Sequence, residues 1–239
     1  MINSIPQMIP SDIPYIFTTN ENSNPRVSSP NASFDIQFAQ TRDTLEDIEL
    51  YRKFLANSIR EFRRSQTYSH YKGHLLDEIG IDCCQYHTNI RTSQEEEMAT
   101  IEMHHHILTI YDIAYIITEH VINSGCCISS FDLINLLGIE HTQHRVATVM
   151  LCKTCHQLQH HDPRFFVPMS MTFGNWPAFL QRFQLGVNKD IYLKIYYQIK
   201  KELTQYDTSK KQATELISIA KTLENWSEKN EEIFGRSQL

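Results

Sequence analysis

Two short ligand pairs, Cys84-Gln-Tyr-His87 and Cys152-Lys-Thr-Cys155, constrain this chain more than any other feature of its sequence. Each sets two soft donors three positions apart, a spacing that lets a tight turn aim both donor atoms at one ion. Two such turns supply the tetrahedral Cys3His set that zinc takes in closed structural sites. If they share an ion, segments distant in sequence must meet. Cys83 could replace Cys84, but only Cys84 has the two-residue gap to His87. The adjacent Cys126 and Cys127 have no comparable partner and are assigned to packing.

Metal is favoured over disulfides by the context of the six cysteines. The stretch Met1 to Asp12 has no basic start and no long apolar run, so it does not read as an export signal. A reducing, cytoplasmic setting follows, and the Asn31-Ala32-Ser33 sequon then carries no meaning. No apolar run reaches the roughly 18 to 20 residues that cross a bilayer, so no membrane partner is expected. The balance of 22 Lys+Arg against 28 Asp+Glu leaves a formal charge of -6. That excludes a broad electrostatic binder of nucleic acid, which needs cations to displace phosphate counterions. Any such contact has to come from a local patch, a bound metal or a partner subunit. Arg60, Arg63 and Arg64 form the best patch, and they suit equally well the negative end of a helix dipole.

The first 40 residues are rich in Pro, Ser and Asn, with Pro6, Pro10, Pro14, Pro25 and Pro30 interrupting regular structure, and read as a flexible or extended arm. From Thr44 the period becomes helical: Leu45, Ile48, Leu50, Tyr51, Leu55, Ile59 and Phe62 recur at three- and four-residue steps, with Asp43 or Thr44 as cap. Further helices are predicted over Tyr111–Asn123, over Ser130–Leu137 with Gly138 as stop, and near Lys189–Gln205 and Ser209–Phe234. The last carries an apolar stripe of Ala213, Leu216, Ile217, Ala220, Leu223 and Trp226. It packs on its own domain or offers a surface to a protein partner.

A second constellation combines Ile101-Glu-Met-His104-His105-His106 with His156-Gln-Leu-Gln-His160. His156 and His160, four apart, share a face if the segment after Cys155 is helical. Neighbours on a strand point to opposite sides, so one histidine can hold metal while the next faces a substrate. Metal-assisted phosphodiester hydrolysis uses that division: a metal clamps the phosphate and a neutral histidine takes a proton from the attacking water.

Taken in order, Cys84-x-x-His87, Ile101-Glu-Met-His104-His105 and Val146-Ala-Thr-Val-Met-Leu-Cys152-Lys-Thr-Cys155-His156-x-x-x-His160 resemble the HNH (ββα-metal) endonucleases, in particular HNH-like proteins of tailed bacteriophages. The resemblance implies an α+β, mostly helical fold with a zinc-stapled ββα-metal core and flanking helices. It divides the chain into the arm at 1–40, a helical region at 41–78, an HNH-like zinc module at 79–165 and a C-terminal helical region at 166–239. It implies a metal-dependent DNA endonuclease with His105 as general base. His104, His156 and His160 would hold a catalytic magnesium or other divalent ion, and Cys84, His87, Cys152 and Cys155 a structural zinc. His106 leaves the register open, since His105-His106 could play the paired role. The middle Asn of the signature has no counterpart before Cys152, where Ala147 stands; His141 or His144 could substitute, His141 better by spacing. The long stretch between the histidines and the second knuckle requires a helical insertion in the hairpin. DNA is the expected partner, with a protein partner through the C-terminal helices, in host cytoplasm if the chain is phage-encoded. The second reading is a catalytically silent HNH-like zinc module, a docking or nucleic-acid-binding subunit of a larger phage complex. A transcriptional regulator using the arginine patch ranks last, for want of a helix-turn-helix.

Overall fold

The computed structural model describes residues 47–91, 100–162 and 164–234. The arm expected at 1–40, and Asp43 and Thr44 as caps, lie outside them. Asp47 caps the first helix, α1 (Ile48–Arg64), its carboxylate accepting from the backbone N–H groups of Glu49 and Leu50. Tyr51, Phe54, Leu55, Ile59 and Phe62 bury one face of α1, while Leu50, part of the predicted stripe, is exposed. Ser65 ends α1 and caps α2 (Gln66–Asp77).

The first strand, β1 (Ile101–His105), leads into α3 (Ile110–Asn123) and α4 (Ser130–Thr142), and the chain returns as β2 (Thr148–Cys152). Both helices open on capping boxes, Thr109 with Asp112 and Ser129 with Asp132, in which side chain and backbone satisfy each other's free donors. α4 runs past Gly138, which was expected to stop it. Glycine stays in the helix there because α2 crosses close by: a Cβ on Gly138 would stand 3.1 Å from Thr67 Cγ2.

β1 and β2 pair antiparallel, Ile101 opposite Cys152 and His105 opposite Thr148, in a two-stranded sheet. α5 (Lys153–His161) follows β2 directly. After it come α6 (Trp176–Arg182), α7 (Lys189–Gln205) and α8 (Lys210–Phe234). The fold is therefore mostly helical α+β with a small sheet.

Among the described residues two apolar cores form. The larger joins α1, α3, α4, α6, α7 and α8, with Ala220 and Leu223 buried from α8, Leu216 and Trp226 against them, and Ile217 exposed. Buried polar groups tie its helices. Glu140 of α4 accepts from Arg145 at 2.6 and 2.9 Å and faces Arg182 of α6 at 3.3 Å. Glu202 of α7 accepts from Met169 N–H at 2.9 Å. The smaller core lies at the sheet: Tyr71 and Leu75 of α2, Ile101, Met103, Val149, Met150, Leu151 and Val167, and three cysteines, Cys84, Cys152 and Cys155. Cys127 is buried in packing, as expected, with Cys126 partly buried beside the larger core. Among the described residues no helix is long and apolar enough to cross a membrane.

Candidate metal centres

The first knuckle is held to the sheet by Gln85. Its backbone N–H donates to Met150 O at 2.8 Å, its side-chain oxygen accepts from Met150 N–H at 2.8 Å, and its amide nitrogen donates to Met171 O at 2.6 Å. The residue thus acts as a short extra strand alongside β2, completing the Met150 ladder that β1 leaves open. The second knuckle begins on the last residue of β2 and turns straight into α5, so Cys152 and Cys155 straddle a strand-to-helix junction.

The two turns meet. One donor atom from each of Cys84, His87, Cys152 and Cys155 lies within 4.8 Å of the others, with the cysteines buried and His87 exposed. His87 Nδ1 is 3.1 Å from Cys155 Sγ, and His87 N–H donates to Cys84 Sγ at 3.4 Å. For Cys84, burial pushes the thiol up, but backbone N–H donors from Cys152, His87 and Tyr86 outweigh it and the net shift is downward. Cys155 is pushed up by burial and by Cys152 and Cys84 beside it. Crowded sulfurs with N–H groups aimed at them are an arrangement that a soft cation completes. The cluster could hold a metal ion.

A second group converges on the other side of α5. The strand's alternation sends Glu102 and His104 to one face and Ile101, Met103 and His105 to the other. His104 meets His156 and His160 of α5, one nitrogen from each within 4.8 Å of the others. Burial, then His156, His106 and His160, push His104 down to about 3. His156 Nδ1 is in close hydrogen-bond contact with Glu102. Of the magnesium or other divalent ion expected here, magnesium does not suit these imidazoles, since it favours oxygen ligands. His106 follows the strand, is buried, stands at ring contact with Phe166 and belongs to neither donor group.

His105 turns away from that group. Its Nε2 is 2.8 Å from His141 Nε2, and His141 Nδ1 donates to Leu137 O at 2.6 Å. The carbonyl fixes the proton on His141 Nδ1, so His105 supplies the hydrogen between the two Nε2 atoms. Phe62, Tyr68 and Tyr71 surround His141. Burial, followed by His141, Arg63 and His104, pushes His105 well down, and burial pushes His141 down to about 4. A general base must reach its water; this imidazole is enclosed and spends its Nε2 on a second histidine. His144, the other substitute for the missing Asn, stacks on His74 at 5.1 Å.

Fold and site together define a helical protein whose small sheet is gripped by two separate donor clusters. The chain belongs to the family of Bacteriophage G278-like virion proteins, which it matches over residues 5–232. No curated protein and no solved structure matches it. Membership in a family of virion proteins, a structural class, overturns the resemblance to HNH endonucleases and the nuclease and hydrolase activity drawn from it. DNA as partner loses its support with them. A subunit of a phage complex, the second reading, agrees with the family. The local order strand, strand, helix, with histidines at strand end and helix, explains the misleading likeness. Gln85 and Glu102 were missed as site residues, though each had a signal: Gln85 lies inside the knuckle, and Glu102 stands two residues before His104 on a strand.

Proposed function

We propose that this chain is a non-catalytic structural subunit of a bacteriophage particle, held there by protein contacts, and that zinc on Cys84, His87, Cys152 and Cys155 locks its sheet. The family match running from residue 5 to residue 232 carries the structural role. The zinc assignment is supported by a donor set of three sulfurs and one imidazole, the chemistry zinc favours in closed structural sites. Three of the buried residues of the smaller core are these cysteines, and small cores commonly rely on metal or disulfide staples. The ion would join the first knuckle, β2 and α5, and through Gln85 the loop after α5. The long helix α8, which exposes Ile217 and Ile233, supplies a surface for neighbouring subunits.

Quantitative mass spectrometry of purified, nuclease-treated particles of the encoding phage tests the structural role. The chain should be present at a fixed copy number relative to the other particle proteins. Its absence from particles, with abundant free protein in the infected cell, contradicts the assignment.

A further inference from the structure

We infer that His104, His156 and His160 form a second metal site, separate from the sulfur site, that takes a divalent first-row transition ion. β1 supplies His104, and α5 supplies the other two one turn apart on a single face. The three ring centroids lie 4.8 to 5.0 Å from one another. The His156 and His160 Nε2 atoms approach to 3.2 Å, so both rings turn the same nitrogen toward a common point.

Glu102 gives this convergence its chemical sense. A carboxylate only accepts, so its contact with His156 places a proton on Nδ1 and leaves Nε2 to offer a lone pair. A carboxylate behind a ligating histidine is the outer partner that fixes tautomer and ring orientation in metal sites. Strand alternation puts Glu102 and His104 on the same face of β1, both toward α5. That face is therefore built from one ligand and one orienting group for a ligand opposite.

Donor chemistry selects the ion. Three imidazoles suit zinc, cobalt, nickel or copper, whereas magnesium and calcium favour oxygen ligands. Three protein ligands leave a tetrahedral ion one position short, the mark of an open site. His160 is exposed and His156 partly so, which places this site at the surface. The site shares no residue with the sulfur cluster. Cys155 and His156 are consecutive on α5 and so point to different sides of it. Two ions would pin the helix twice, to the first knuckle through sulfur and to β1 through imidazole.

The test uses the full chain as purified, dialysed against excess cobalt(II), with all bound metals counted and the visible spectrum recorded. His160→Ala alters an exposed residue near the end of α5, and Glu102→Gln removes the orienting charge while keeping the side-chain shape. The wild type should bind two ions per chain. His160→Ala should lose one and keep whatever the thiolates hold, and the lost cobalt should show d–d absorption without sulfur charge transfer. Glu102→Gln should keep both, with the second about 10- to 100-fold weaker. One ion per chain in wild type and His160→Ala alike, or two in both, overturns the proposal. Cobalt binding that depends on His160 without a thiolate band supports it whatever the sulfur site holds; counted zinc near one per chain then assigns the zinc to the thiolates, and a count near zero speaks against zinc at the sulfur site alone.

Discussion

Gln85 stands between two ligands and makes three hydrogen bonds, two with Met150 and one with Met171. Met150 is buried, so truncating the side chain leaves its N–H without a partner in a place water does not reach. Gln85→Ala should cost about 1–3 kcal/mol, the penalty of a buried donor left unmade. Urea denaturation measures it, and a midpoint equal to the wild type's would show that the knuckle does not dock through this residue. His141 makes a second prediction through pH. Its folded value lies near 4, below the unfolded value near 6.5. Between these limits the unfolded chain binds the extra proton, so stability rises with pH across the window and is lost as pH falls toward 4. The group is fully buried, and the contribution is of order 3 kcal/mol. The difference in stability between wild type and His141→Gln should therefore shift by nearly one proton's worth of slope between pH 4 and 6.5. Parallel curves would place His141 at the surface instead.

At the scale of elements, α3 and the 3-10 turn Gln184–Gly186 approach so closely that only hydrogen fits between them. A Cβ on Gly186 would stand 1.9 Å from the carbonyl oxygen of Ile116. Gly186→Ala must push α3 away from its packing and should cost about 1–3 kcal/mol or more. A thermal melt unchanged by the substitution would mean that the helix and turn are further apart. Much of this level was legible in sequence. α7 follows its apolar period to the residue, because one face of it meets the core, and α3 was placed to within a residue although the core surrounds it on nearly every side. α4 ran beyond its predicted end because a glycine demanded by a crossing helix looks, in sequence, like a glycine that ends one. At the site, the four-residue spacing of His156 and His160 and the alternation of His104 and His105 were readable from backbone geometry alone. What His105 faces was not: its partner lies on α4, and no local pattern marks a buried imidazole pair.

For the molecule as a whole, the misreading has a physical origin. A strand ending in histidines, a second strand and a helix bearing two more can be assembled for catalysis or for cross-linking, and local order does not separate the two. Burial and partners do separate them, since the histidine suited to be a base is enclosed while its neighbour joins a donor cluster. Function at this scale came from the family match along nearly the whole chain, which no short motif could supply. The central structural claim is that residues on two distant knuckles hold one zinc ion. X-ray absorption at the zinc edge of the purified chain tests it most directly. A sulfur shell near 2.3 Å, weakened in Cys155→Ser, is the predicted result. Zinc surrounded by nitrogen and oxygen alone, or a stable folded chain without zinc, would contradict it.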